Sequence, residues 1–186
     1  MKMNRRKRLF LLFFSLGLVL TVLLLVLMDR SKTPVSSGEE DFVRGADLTI
    51  SNFQHTATEK GKILWTLEAD TAAYRKQDKL VGLFSVKIDY FQEDGSKITA
   101  TSKKGLANTG THDLKLMESV EVISPDYRVN SEELSYVAEI KTFISPGKTF
   151  ISGEGFFVEA DSARYETASG LLFLSGKVKG ELHESP

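Results

Sequence analysis

Phe84-Ser85-Val86-Lys87-Ile88-Asp89-Tyr90 alternates large apolar residues with short polar or charged ones. Side chains of an extended chain point to opposite faces in turn, so a period of two buries one face and wets the other. The pattern recurs upstream, where Ile63, Trp65, Leu67 and Ala69 alternate with Leu64, Thr66, Glu68 and Asp70. Downstream it recurs in Val120 and Val122 around Glu121, in Phe156, Val158 and Ala160 against Glu159 and Asp161, and in Val178 between Lys177 and Lys179. These are half-buried antiparallel strands. Turn residues separate them at Glu93-Asp94-Gly95-Ser96, Asn108-Thr109-Gly110, Ser124-Pro125-Asp126, Ser145-Pro146-Gly147 and Ala168-Ser169-Gly170. After Gly45 the nearest approach to an amphipathic helix is Glu132 to Lys141, which Ser135, Tyr136 and Val137 weaken. The reading is all-β: a sandwich, barrel or jellyroll.

The strands also resemble one another. Glu68-Ala-Asp-Thr-Ala-Ala-Tyr74 and Glu159-Ala-Asp-Ser-Ala-Arg-Tyr165 agree at five of seven positions, and each is followed six residues later by a leucine, Leu80 or Leu171. Asn130-Ser-Glu-Glu-Leu-Ser-Tyr136 is a weaker copy, and Thr101 to Asn108 is a heavily diverged one. Copies at this spacing suggest a repeated β unit whose apolar face is covered by stacking along an axis.

The N-terminal thirty residues follow a different rule. Leu9 to Met28 is an uncharged apolar run broken only by Ser15, Gly17 and Thr21. Twenty helical residues rise roughly 30 Å, the thickness of a bilayer's hydrocarbon core. Lys2, Arg5, Arg6, Lys7 and Arg8 precede the run, which by the positive-inside rule holds the N-terminus in the cytoplasm. Leu27-Met28-Asp29-Arg30 lacks the small residues of a signal-peptidase site, so the run reads as an uncleaved anchor. Residues 1–8 are then a cytoplasmic basic N-terminus, 9–28 a transmembrane helix, 29–45 a solvated tether with an acidic Glu39-Glu40-Asp41 run, and 46–186 the β domain.

Composition removes several kinds of chemistry. The absence of cysteine excludes disulfides, thiol catalysis and thiolate metal sites, and a net charge of −1 gives no bias toward nucleic acid. His55, His112 and His183 have no metal-ligand spacing and read as solvated residues. Glu132-Glu133 points two carboxylates apart, a poor acid–base pair. Gly153-Glu154-Gly155 lacks the third glycine and the strand–helix setting of a dinucleotide loop, and reads as a bulge or tight turn. No cofactor is expected and catalysis is the poorer reading. From the residues alone, the apolar face closes either a dry core with only protein partners or an interior that accepts an apolar ligand; a tethered hydrolase is a third class.

Taken in order along the chain, these features resemble the LptC family of lipopolysaccharide-export proteins. The resemblance rests on the basic N-terminus, the single span, the A-D-x-A-x-Y units, Ile151-Ser-Gly153-Glu-Gly155-Phe156 and the closing Leu174-Ser-Gly176-Lys-Val178-Lys-Gly180. Phe143-Ile-Ser-Pro146 departs from the family's usual Ser-x-x-Pro-Val segment. The resemblance implies a twisted open β-jellyroll of the LptA/LptC kind on the periplasmic side of the inner membrane. It implies that lipopolysaccharide is received from an inner-membrane ABC transporter of the LptB, LptF and LptG type and passed to a bridge protein of the LptA type. Under that reading Trp65, Leu67, Phe84, Val86, Ile88, Tyr90, Val120, Phe156 and Val178 face a lipid-binding interior. Leu174, Gly176, Val178 and Gly180 on the last strand dock the bridge protein, and the edge near Leu48 to Phe53 faces the transporter.

Overall fold

The computed structural model describes residues 42–59 and 61–182; the expected span over 9–28, most of the tether and His183 lie outside them. Among the described residues no helix is long and apolar enough to cross a membrane. The described residues form twelve strands in one antiparallel sheet. Six long ones come first: β1 (Leu48–Glu59), β2 (Lys62–Arg75), β3 (Leu80–Phe91), β4 (Lys97–Asn108), β5 (Leu114–Ile123) and β6 (Tyr127–Val137). The remainder are short: β7 (Thr142–Ser145), β8 (Thr149–Gly153), β9 (Phe156–Ala160), β10 (Ser162–Glu166), β11 (Leu171–Ser175) and β12 (Lys179–Leu182). Glu132 to Lys141, the nearest approach to a helix in the sequence, ends β6 and turns into β7.

Strand β6 divides the sheet. Its end Ser135–Val137 pairs with β7, which leads on to β10 and β11, while Tyr127–Ser131 pairs with β8, which leads on to β9 and β12. The sheet is therefore two walls sharing the long strands, joined by a corner that crosses each of those six strands. Wall A ends in β7, β10 and β11; wall B ends in β8, β9 and β12.

The corner explains the repeated motif. Asp70, Glu132 and Asp161, the third residues of the three copies, lie between the paired segments of their strands, and Lys103 holds the same place in the diverged copy. The alanines on either side are small and buried: Ala69 and Ala72 are 5% and 4% exposed, and Ala160 is 1% exposed. A larger side chain there would hold the walls apart. The alternate strands bend by another device, left-handed backbone at Asn52, Ser85, Glu118, Ser119 and Gly176, with φ between 52° and 85°. In β5 this is a bulge, since Glu118 and Ser119 interrupt the register with both neighbours.

Leaving the ladder frees backbone carbonyls, and buried ones need partners. Ser102 Oγ donates to the Lys104 carbonyl at 2.9 Å, Ser131 Oγ to that of Glu133 at 3.0 Å, and Thr149 Oγ1 to that of Gly147 at 3.0 Å. Each hydroxyl reaches across the bend to satisfy a carbonyl. The buried cluster sits inside the corner and draws on both walls: Ala72, Leu83 and Leu116 from wall A, and Leu67, Ala69, Val86 and Val120 from wall B.

The end of the tether packs against the outside of wall A. Residues 42–44 form a helical turn, and the Phe42 ring lies over Gly82, where a Cβ would come within 2.5 Å of it. The Arg75 guanidinium stands 4.7 Å from the ring centroid. Asp47 then ties the chain down: its N–H donates to the Tyr74 carbonyl at 2.8 Å and its Oδ2 accepts from Lys76 N–H at 2.7 Å.

Candidate functional site: an apolar interior between two walls

Printed register and side-chain alternation together define the inner face. Along the lip of wall A, Leu48, Tyr74, Val81, Ala107, Leu114, Tyr136, Phe143, Tyr165 and Leu172 stand opposite one another in a single row from edge to edge. Below it, nearer the corner, lie Ile50, Ala72, Leu83, Gly105, Leu116 and Leu134, continued by Ser145, Ala163 and Leu174. Wall B contributes His55, Leu67, Ile88, Ala100, Val122, Val129, Ile151, Val158 and Gly180 in one row. Its lip carries Ala57, Trp65, Tyr90, Ile98, Tyr127, Gly153, Phe156 and Leu182. Nine strand positions spaced about 4.8 Å apart make a lining roughly 40 Å long.

The outer face of wall B carries a set of ion pairs. Glu68 and Asp89 meet Lys87 at 3.7 and 3.3 Å, Arg128 meets Glu121 at 3.3 Å, and Lys148 meets Glu159 at 2.8 Å. Asp89 is the most enclosed of these, 8% exposed, and accepts from Thr99 Oγ1 at 2.6 Å and Lys97 Nζ at 3.3 Å. Burial pushes its carboxyl up, but the hydrogen bonds from Thr99, Lys87 and Lys97 outweigh burial and hold it below the ordinary value. Among the described residues no three His, Asp or Glu side chains are grouped so as to hold a metal. His55 lies on the inner face, its ring 5.2 Å from that of Trp65.

Of the residues expected to line the interior, the register brings Trp65, Leu67, Val86, Ile88, Tyr90, Val120 and Phe156 onto the inner face of wall B. Phe84 does not join them. The corner at Ser85 reverses the phase of β3, so Leu83 and Val86 share the buried cluster. Phe84 instead pairs with Thr71 and Lys104 on the outer face, beside Gly82 and the Phe42 turn, where it is 6% exposed. Val178 falls in the corner between β11 and β12 and is 48% exposed, its N–H donating to the Gly176 carbonyl at 3.0 Å. Leu174 lies on the inner face of β11, Gly180 on that of β12, and Gly176 in the corner between them. Strict alternation missed Leu83, Leu116 and the three motif tyrosines. The motif copies themselves were the available signal, because equal positions in a bent repeat occupy equal places in the fold.

The comparisons agree with this architecture. The crystal structure of LptH from Pseudomonas aeruginosa, titled the LptA-homologous periplasmic component of the lipopolysaccharide transport device, matches with a TM-score of 0.51 at 12% identity. The match covers 66% of this chain and 95% of that one, and at this identity it speaks for the fold alone. Among curated proteins none matches. The family described as lipopolysaccharide-assembly, LptC-related, matches residues 14–184, nearly the whole chain. The protein therefore belongs to the LptC-related family of lipopolysaccharide transport proteins.

Proposed function

We propose that this chain is the membrane-anchored handover component of lipopolysaccharide export. It takes the glycolipid from an inner-membrane ABC transporter of the LptB, LptF and LptG type and passes it to a periplasmic bridge protein of the LptA type. The observation that carries the reading is the unbroken apolar lining, which runs from edge strand to edge strand of an open sheet. Each acyl methylene removed from water contributes about 0.8 kcal/mol, so such a trough can hold lipid while sugars stay solvated outside. Energy for transport comes from the transporter.

Both ends of the trough support strand-to-strand continuation. Leu48 and Ile50 on β1 are 53% and 41% exposed, and Leu172 on β11 and Leu182 on β12 are 49% and 90% exposed. Their backbone edges, which no other described strand covers, can accept another jellyroll by β-augmentation, which would prolong the lining. In this reading β1 meets the transporter. Leu174, Gly176, Val178 and Gly180 form the docking end for the bridge protein, and the apolar run over 9–28 is the anchor. A second reading, a tethered assembly protein with only protein partners, is favoured by the tight packing at the corner, where Leu83, Val86 and Val120 are at most 2% exposed.

Purification of the full chain from membranes separates the two. Lipopolysaccharide should co-purify with the protein, and the bridge protein should be captured by the intact chain but not by one lacking residues 171–186. Protein free of lipopolysaccharide, yet fully able to bind its partners, would favour the second reading.

A further inference from the structure

We propose that the tyrosines of the repeated motif form one of two aromatic lips that hold the transported glycolipid at the junction between its sugars and its acyl chains. The inference rests on the handover reading and adds where along the ligand the protein discriminates.

Rings are sorted by depth in this interior. The rows nearest the corner hold aliphatic, small or hydroxyl side chains, and their only rings are Phe53 and His55, both on the edge strand β1. The lips are aromatic. Tyr74, Tyr136 and Tyr165 stand in register along wall A, with Phe143 between the last two and its ring 4.8 Å from that of Tyr136. Across from them Trp65, Tyr90, Tyr127 and Phe156 line wall B. Tyr90, Tyr127 and Tyr165 are 48%, 39% and 40% exposed.

The tyrosine hydroxyls supply a second observation. None exchanges a hydrogen bond with another described residue, so among the described residues this row of donors at the lip has no hydrogen-bond acceptor. Tyrosine and tryptophan favour boundaries where one side is apolar and the other wet, because the ring body is apolar and its tip is polar. An amphipathic ligand with acyl chains in the trough places its boundary at this height. The hydroxyls can then bond to the sugar and phosphate oxygens, and the ring faces can pack against the first methylenes and the sugar. The transported class, a phosphorylated and acylated disaccharide, has both parts.

The test uses the full chain in detergent micelles, with Tyr74→Phe, Tyr136→Phe and Tyr165→Phe combined so that the rings remain and the hydroxyls go. Binding is measured for an acylated, phosphorylated glucosamine disaccharide and for palmitate, alongside the melting temperature. The expected result is about a tenfold loss of affinity for the disaccharide, with palmitate binding and the melting temperature unchanged. Wild-type affinity for the disaccharide in the triple variant would overturn the proposal. So would a loss matched for palmitate or accompanied by a lower melting temperature, since the tyrosines would then serve packing only. If the wild-type chain bound no disaccharide at all, the handover reading itself would fall, and the lips with it.

Discussion

Replacing Phe42 with alanine tests whether the end of the tether is part of the folded domain. A fully buried phenylalanine truncated to alanine costs about 3–5 kcal/mol. Phe42 is half-buried, so about half of that is at stake, including about 0.5 kcal/mol from the stacked Arg75 guanidinium. The expected loss is about 2 kcal/mol, or about 4–8 °C in melting temperature for a domain of this size. Gly82 supplies the control. A Cβ there would sit 2.5 and 2.6 Å from Phe42 ring carbons, so Gly82→Ala must expel the ring and should cost about as much as Phe42→Ala. Once Phe42 is gone the methyl has room, and alanine is favoured over glycine in a strand interior by about 0.5 kcal/mol. The double variant should therefore be no less stable than Phe42→Ala alone, a strong departure from additivity. Urea unfolding of a soluble domain beginning at Gly38, where the compact β unit starts, reads all four proteins. Additive losses would refute the contact. A domain beginning at Val43, which lacks only Phe42 of the packed turn, should show the Phe42→Ala loss.

Other expectations follow from the corner and the outer face. Ser85 has φ 56°, so Ser85→Gly should leave stability unchanged or raise it by up to about 1 kcal/mol, while Ser85→Val should lower it by more; thermal melts decide. Ser131→Ala strands the Glu133 carbonyl beside a residue 9% exposed, and should cost about 1–3 kcal/mol in urea unfolding. Against the effect of burial, the hydrogen bonds from Thr99, Lys87 and Lys97 hold the Asp89 carboxyl below the ordinary carboxylate value, so its contribution is full above that ordinary value and is lost as pH falls through the depressed folded one; Asp89→Asn should flatten that part of the stability–pH profile. At the proposed docking end, Gly176 has φ 85° and lies where a Cβ would approach the Asp161 side chain at 2.5 Å, so any substitution there should lower the melting temperature. A Cβ at Gly180 would meet nothing closer than Val158 at 4.0 Å, so Gly180→Leu should leave the melt unchanged, and lost capture of the bridge protein by that variant would report docking alone.

Period two made the strands legible, and turn residues marked their ends. It also ranked Val86, Ile88 and Tyr90 with Trp65 and Leu67 correctly, because all lie on one side of the corner. What it could not carry was phase across the bend. Phe84 and Val86 look equivalent in an alternating run, yet the left-handed Ser85 between them sends their side chains to opposite faces of the sheet. Serine is not a residue that announces positive φ, as glycine would. Val178 was misplaced by the same cause, since the last strand also breaks, at Gly176. The motif contained the missing information: in its first copy A-D-x-A sets two buried alanines, Ala69 and Ala72, three apart, a spacing that no flat strand can place on one face. The turn over 42–44 was hidden because a single aromatic in a polar tether carries no periodicity.

The central claim is that the face between the two walls, and not the outer face, meets lipid. Adjacent residues separate these most sharply. Phe156 and Phe157 are both half-buried phenylalanines, but the first lies on the inner lip of wall B and the second stacks on Phe150 outside. Ile88 and Lys87 form a similar pair on β3. A photoreactive amino acid placed singly at these four positions of the full chain, in cells exporting lipopolysaccharide, should capture the glycolipid from positions 156 and 88 and capture little from 157 and 87. Equal capture from both faces, or capture from the outer pair alone, would contradict the account.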